Sequence, residues 1–287
     1  MRASRPLLAL LVAALPLMAH ADENMFGYAY GSDTLPAGRN ELYTWITQRS
    51  DKGEGSYRGT DVQVEYEHGW TDRFQTSFYL TGRSVHASGD ALEDEDTGLP
   101  IHVDRGLDFD GAKVSFKWNL RSAYKDGYGL AVYVEPEYST IDKITGGDLT
   151  EYAVETKLIL QKNFLDDQLI AAYNLTLEPE WEREDGDDKW EKELAVENTA
   201  GLSYRFAPNW YAGVETRVHM EFPDYGAREH WAWFAGPSLH YGGRRMWATL
   251  TWLPQLRGGP TEAGRSRRLH LEEHERSETR LKLGVNF

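Results

Sequence analysis

The sequence predicts an all-β fold, a single antiparallel transmembrane β-barrel of about 12 strands. Apolar and charged side chains alternate over segments close to the roughly 9–11 residues that a tilted membrane strand needs. Short and long connections between these segments also alternate along the chain, and the C-terminal segment is itself an alternating strand. Together these patterns predict strands with one polar face toward the lumen and one apolar face toward the lipid.

The N-terminal residues have the pattern of a secretory signal peptide. Arg2 and Arg5 supply positive charge, residues 7–17 are an apolar core, and a small-x-small cleavage site ends at Ala21. Residues 1–21 are therefore predicted to be removed during export.

Composition excludes some classes of protein and leaves two open. The 46 acidic residues exceed the 31 Lys and Arg, which argues against nucleic-acid binding because that needs basic stripes. No later segment approaches the roughly 18 apolar residues of a transmembrane helix. Without cysteine, an exported chain of this size needs another source of stability, and a closed barrel is one. A soluble periplasmic sandwich shares most of these traits.

An irregular lead-in precedes the first predicted strand. Residues 22–39 lack sustained periodicity and are expected at the periplasmic mouth of the barrel. Residues 31–41 read GSDTLPAGRNE. This segment resembles the T-L-P-x-G opening of little-characterised outer-membrane barrel families, one of them grouped with aromatic-degradation pathway transporters. The resemblance implies an outer-membrane barrel and carries no catalytic residues to transfer.

Residues 40–287 are predicted to form the barrel. Pro136, Pro179 and Pro237 fall inside candidate strands, where proline removes a hydrogen-bond donor, and Pro237 is interpreted as the mark of a bulge. The candidate strands are residues 40–49, 57–68, 73–83, 109–120, 128–138, 151–162, 168–181, 191–206, 210–221, 231–241, 246–253 and 276–287.

The connections favour the barrel over the sandwich. Links after the even-numbered strands are short, whereas most links after the odd-numbered strands are longer and rich in charge, Gly or Pro, as in residues 84–108 and 254–275. Such sorting is typical of outer-membrane barrels, which have short periplasmic turns and longer extracellular loops. The sequence therefore predicts a protein of the Gram-negative outer membrane with both termini in the periplasm.

The last strand points to an assembly partner. An amphipathic final strand that ends in Phe resembles the terminal strand of Gram-negative outer-membrane barrels, where that strand is the assembly signal. The resemblance implies that Leu283, Val285 and Phe287 are read by the barrel-assembly machinery.

Two further features predict contact with the outer membrane itself. Aromatic residues cluster at strand ends, as expected for two girdles at the depth of the lipid headgroups. Residues 265–268 (RSRR) lie on a long predicted loop, where they could meet lipopolysaccharide phosphates or serve only as a solubilising cluster.

The polar strand faces predict a charged lumen in which acids outnumber bases. Arg217 is expected to bridge Glu215 and Glu197 if their strands pair in suitable register. Filled barrels have about eight strands and open ones about 16, so 12 leaves two functions open. These are a passive channel or porin for small polar or cationic solutes, and a closed structural or surface-interaction barrel. The predicted lining residues are Glu135, Glu137, Glu178, Glu180, Glu197, Glu215, Arg217, His219, Ser238 and His240.

Enzymatic chemistry is weakly indicated. Residues 270–274 (HLEEH) match an inverted zinc-protease pattern, but that chemistry needs a helix and this stretch reads as a loop. Ser238 and His240 share one strand face, as a lipid hydrolase could require, yet that face is predicted to line the lumen. The sequence therefore predicts no enzyme, cofactor or metal site, and an outer-membrane lipid hydrolase is the least favoured alternative.

Overall fold

A computed structural model describes residues 24–93, 98–186, 188–261 and 266–287. The predicted signal peptide, residues 1–21, lies outside the described residues, as does Arg265 of the basic loop cluster. The strands are β1 (Asn40–Ser50), β2 (Glu54–Thr71), β3 (Phe74–Asp90), β4 (Val103–Arg121), β5 (Gly129–Ile141), β6 (Asp148–Phe164), β7 (Leu169–Glu184), β8 (Glu191–Ala207), β9 (Trp210–Pro223), β10 (Trp231–Gly242), β11 (Met246–Gly259) and β12 (Ser277–Asn286).

The sheet closes on itself. Neighbouring strands pair antiparallel in sequence order, and β1 pairs with β12 from Glu41 opposite Asn286 to Ser50 opposite Ser277. Closure lets every strand satisfy its backbone donors and acceptors on both sides, so no edge is left unpaired. The predicted 12-stranded antiparallel barrel is confirmed. The described residues include no helix that is both long enough and apolar enough to cross a membrane.

Alternation along each strand sorts side chains between the two faces of the wall. On β12, Leu283 and Val285 are exposed on the outside, while Glu278 and Lys282 are buried inside. This is the reverse of a water-soluble sheet, and it suits a wall with lipid outside and a polar interior.

The links fall into two groups at opposite ends of the barrel. We call the end with the links after β2, β4, β6, β8 and β10 the turn end, and the other the loop end. Several strands run further toward the loop end than the sequence predicted. Residues 84–108 were expected to be a loop, but β3 continues to Asp90 and β4 starts at Val103. The buried, alternating Val85 and Ala87 explain this extension, because they carry the interior face of β3 beyond the predicted end.

Pro237 lies within β10 without forming the expected bulge. It points outward, where it is exposed, and pairs with Val214 of β9. The register between β10 and β11 shifts instead between Trp233 and Phe234.

The N-terminal segment, residues 24–39, is irregular and does not rest only at the mouth of the barrel. Its last residues reach the turn end, where Gly38 N donates to Gly69 O at 2.7 Å. The residues before them cross the lumen, and Phe26, Ala29 and Ser32 are almost fully buried there. The segment therefore occupies the half of the barrel nearest the turn end.

Candidate functional site

One carboxylate on β9 holds the N-terminal segment. Glu215 Oε1 accepts a hydrogen bond from Gly27 N at 2.8 Å. Its Oε2 accepts from Tyr28 N at 2.8 Å and from Ala29 N at 3.2 Å. The hydroxyl of Thr251 on β11 donates a fourth hydrogen bond, at 2.7 Å from Oε1. Because Glu215 is only 2% exposed, these donors replace water around a buried anion.

Amide side chains of the wall bind the next part of the segment. Asn174 on β7 accepts from Tyr30 N at 2.6 Å and donates to Tyr30 O at 3.0 Å. Gln161 on β6 accepts from Ser32 N at 2.7 Å, and Asn119 on β4 donates to Ser32 O at 2.8 Å. A buried backbone must satisfy its polar groups, and here wall side chains do so in place of a neighbouring strand.

The wall and the segment are also matched in shape. A β-carbon added at Gly27 would lie 2.6 Å from Thr251 Oγ1, so no larger residue fits there without movement. On β8, a β-carbon at Gly201 would lie 2.5 Å from the ring of Phe26. Both glycines leave space that the opposing side chain fills, which indicates that the interior is shaped around the segment.

Cationic side chains of β12 lie against aromatic rings of the segment and of the wall. The guanidinium of Arg280 is 3.9 Å from the ring centroid of Tyr28. The ammonium of Lys282 is 4.1 Å from the Trp45 ring and 5.2 Å from the Tyr30 ring. Such contacts strengthen when water is excluded, so they add to the hold on the segment.

Two residues beyond Glu215 on β9, toward the loop end, Arg217 joins two carboxylates. One of them, Glu197, was predicted and the other, Glu278, was not. The Nε of Arg217 contacts Glu197, and its Nη1 lies 2.5 Å from Glu278 Oε1. Glu215 is committed to the N-terminal segment instead. His219 lies opposite Glu197 in the β8–β9 register, and its Nδ1 is 3.3 Å from Glu197 Oε2.

The predicted acids of β5 form a buried cluster with β4 and β6. Oxygens of Glu135, Glu137 and Glu155 lie within 4.8 Å of one another. Lys113 contacts both Glu137 and Glu135, the latter at 3.6 Å, and Lys157 contacts Glu155. A cation here would have to compete with two ammonium groups. Glu178 and Glu180 lie half-buried on the inward face of β7.

A second ion-pair group lies nearer the loop end and was missed from the sequence. Arg49 Nε is 2.9 Å from Asp61 Oδ2, and Arg83 bridges Asp61 at 2.8 Å and Asp110 at 3.4 Å. Arg49 follows the same alternation that turned Glu41 inward, so its position could have been found. These two bases reduce the predicted excess of acids in the lumen.

The β11–β12 loop folds over the loop end. Leu271 is buried, and its carbonyl accepts from Gly53 N at 3.0 Å. Lys52, from the β1–β2 link, donates to the carbonyls of Glu272, at 3.1 Å, and Glu273, at 2.5 Å. Burial lowers the pKa of Lys52 to about 8. The loop therefore narrows the lumen from the end opposite to the N-terminal segment.

The two sequence patterns considered for catalysis lie at opposite ends of the barrel. Ser238 and His240 both point into the barrel near the turn end, and His240 Nδ1 is 2.7 Å from Thr249 Oγ1. Residues 270–274 lie in the β11–β12 loop and not in a helix, so the protease geometry is not formed.

Comparisons with known proteins identify a family that the sequence matches and solved structures with a similar fold. Residues 18–287 match a family described as a family of unknown function (DUF6662). The COG4313 outer membrane channel from Pseudomonas putida F1 has a similar structure, with a TM-score of 0.64 and 14% identity, covering 89% of this chain and 98% of that chain. At this identity the similarity shows the barrel fold. A search of curated proteins found no match.

Two other solved structures are less similar. LpxR from Salmonella typhimurium has a TM-score of 0.47 and 11% identity, covering 85% of this chain and 98% of that one. The β domain of the Bordetella autotransporter BrkA has a TM-score of 0.48 and 11% identity, covering 86% and 98%. Their resemblance is too distant to carry an argument about function.

Proposed function

The chain belongs to the DUF6662 family of unknown function, and we propose that it is an outer-membrane channel for small polar or cationic solutes that its own N-terminal segment closes. In this proposal the turn end faces the periplasm. The outward apolar faces contact outer-membrane lipids, and the loop end faces the lipopolysaccharide layer. Cell fractionation tests the location, because recovery in the soluble periplasm without detergent contradicts it.

The main support is the way in which the segment is held. Its buried backbone hydrogen-bonds to side chains such as Glu215 and Asn174, while the 12 strands pair with one another to complete the ring. The segment can therefore leave the lumen without breaking a strand ladder. The similarity to a barrel named as an outer membrane channel agrees with this proposal.

The preference for cations rests on the carboxylates along the path. Glu178 and Glu180 on β7 face the interior, and on β5 the two carboxyl groups of Glu135 and Glu137 share the single ammonium of Lys113. Acidic groups in a confined passage with low-dielectric walls concentrate cations. Screening over about 8 Å in physiological salt limits the effect to ions that pass close to them.

A closed barrel without transport is the second candidate. It is favoured by the four hydrogen bonds to Glu215, which leave this buried carboxylate well satisfied with the segment in place. In that case the segment would be a permanent part of the barrel core.

Single-channel recording in planar bilayers separates the two candidates. We expect rare openings of the wild-type protein and steady conductance of a variant that lacks residues 24–33. Silence of both proteins, with the variant still folded as a barrel, contradicts the channel and supports the closed barrel. Retention of heat-modifiable mobility on electrophoresis serves as the folding control.

A further inference from the structure

Three exposed arginines lie beside outward-facing tryptophans at the loop end. Arg257 of β11 is exposed and lies opposite Trp233 of β10 in the strand register. Arg228, from the β9–β10 link, places its guanidinium carbon 5.8 Å from the ring centroid of Trp231. Arg268, from the β11–β12 loop, is also exposed. We call Arg228, Arg257 and Arg268 the arginine patch.

Backbone and ring contacts bring these arginines to one strand end. Gly258 N donates to Arg268 O at 2.8 Å, so Arg268 lies beside β11 next to the residue that follows Arg257. Trp231 pairs with Gly259, and a β-carbon added at Gly259 would lie 2.9 Å from Trp231 Nε1. The indole therefore covers the end of β11 and places its Arg228 neighbour on the same side. Three parts of the chain thus contribute one arginine each.

The patch begins where the apolar outer surface ends. Trp233, Trp252 and Leu256 are exposed on the wall, and Arg257 follows Leu256 directly. The indole N–H of Trp233 donates to Thr216 Oγ1 at 2.7 Å, so its polar edge is satisfied without water. Tryptophan is enriched at the depth of the lipid headgroups, and positive charge just beyond it meets the headgroups themselves.

The patch is a basic region on an otherwise acidic rim. Within the residues that the structure describes, no ion pair joins the three arginines to a carboxylate. Glu229 is the carboxylate nearest to the patch in sequence, and Arg267 adds a further exposed positive charge. The links after β3 and β7, in contrast, contain the acidic runs EDED (residues 93–96) and EDGDD (residues 184–188). An anion approaching this end is therefore attracted mainly to the patch.

We propose that the arginine patch binds a phosphate group of the lipid A part of lipopolysaccharide in the outer leaflet. A guanidinium offers parallel N–H donors that match phosphate oxygens, and such charge-assisted hydrogen bonds are strong. The flanking tryptophans supply an apolar surface for the acyl chains beside that phosphate. The proposal rests on the outer-membrane location and orientation given under the proposed function, and it does not depend on whether the barrel conducts.

The convergence of the three arginines favours this role over simple solubility. From sequence alone, residues 265–268 were equally suited to lipopolysaccharide contact and to a solubilising cluster. A solubilising cluster needs no partner elsewhere in the chain. The fold instead brings Arg228 and Arg257 from two other elements to Arg268, next to rings that suit a lipid.

Titration with bisphosphorylated lipid A tests the site. The full-length protein in detergent is followed by native mass spectrometry, and we expect one lipid bound per chain. Affinity should be about 25-fold lower for Arg257→Gln/Arg268→Gln, because each base near an anionic lipid surface contributes roughly fivefold. Arg58→Gln is the matched control and should bind as the wild type does. Arg58 is exposed at the same end, but it shares its surface depression with Asp51 and Asp104.

Three further probes distinguish the source of the phosphate. Lipid A without its phosphates should bind weakly and equally to the wild type and the double variant. Inorganic phosphate and phosphatidylglycerol should compete poorly with lipid A. Equal affinity for lipid A with and without phosphate overturns the proposal, as does equal competition by inorganic phosphate or phosphatidylglycerol. An equal loss in Arg58→Gln and the double variant also overturns it. Cell fractionation tests the location separately, so failure to bind and failure to reach the outer membrane are distinguishable.

Discussion

Glu215 accepts hydrogen bonds from the backbone N–H groups of Gly27 and Tyr28, each at 2.8 Å, although 188 and 187 positions separate these residues in sequence. A single strand residue of the wall thus fixes residues 27–29 inside the barrel. Glu215 was expected to pair with Arg217. It binds the N-terminal segment instead, and so helps to hold that segment in the lumen.

Replacing Glu215 with Ala should loosen the N-terminal segment. The change leaves three buried N–H groups without their acceptor, at a cost of about 1–3 kcal/mol for each unsatisfied group. We expect faster proteolysis within residues 24–33 and more frequent channel openings. Glu191→Gln is the control, because Glu191 is exposed and pairs only with exposed Lys189 among the contacts described for it. Equal proteolysis of the two variants would contradict the role of Glu215.

A disulfide should lock the segment in the lumen. A β-carbon at Gly129 of β5 would lie 2.8 Å from Ser32 Cβ, and the usual separation in a disulfide is about 3.8 Å, so a small shift suffices. The chain has no cysteine of its own, so Ser32→Cys with Gly129→Cys can form only the intended bridge. We expect silence when the bridge is oxidised and wild-type openings after reduction. The Ser32→Cys single variant should not respond to reductant, and conductance of the oxidised double variant would exclude gating by the segment.

Removal of Arg217 should destabilise the barrel more than removal of its whole ion-pair group. Arg217→Met removes the guanidinium that contacts the buried Glu278 and the half-buried Glu197, which keeps only His219, and leaving a buried carboxylate without its cation typically costs about 3–5 kcal/mol. Adding Glu197→Gln and Glu278→Gln should restore much of this loss, because no uncompensated charge remains. Urea unfolding of the refolded proteins, followed by tryptophan fluorescence, measures the difference. Equal stability of the single and triple variants would show that pairing does not control stability here.

Ion preference should depend on the β5 acids once the lumen is open. In the variant lacking residues 24–33, we expect a weak cation preference that fades as salt is raised. Adding Glu135→Gln and Glu137→Gln should reduce it, because Lys113 then loses both partners. Reversal potentials across a salt gradient provide the measurement. Anion selectivity before the second change would disagree with the proposed lining.

Alternation predicted the strands, because its period of two shows which side chains share a face, and the sorting of short and long connections distinguished the barrel from a sandwich. Each predicted strand coincides with an observed one, and the same pattern would have turned Arg49 and Arg83 inward had it been followed to the strand ends. The loop end of β3 was less predictable, since Val85 and Ala87 place buried apolar side chains on its interior face, the reverse of the pattern in the rest of the wall.

The path of the N-terminal segment could not be predicted in the same way. It has no periodicity, and its contacts join backbone groups to side chains that are more than 100 positions away, as from Tyr30 to Asn174. The contact between His230 and His274 could not be predicted for a similar reason. The spacing of His270 and His274 matched only a protease pattern that was rejected because the stretch reads as a loop, whereas the fold brings His230 Nδ1 within 3.1 Å of His274 Nε2.

The N-terminal segment also makes the finished ring sensitive to errors in strand pairing. A slip of one residue in β9 would turn Glu215 toward lipid, and the same slip in β7 would turn Asn174 away. Either error leaves backbone donors of the segment without partners. Because the observed register presents Glu215 and Asn174 to the segment, docking of the segment stabilises that register over one shifted by a single residue.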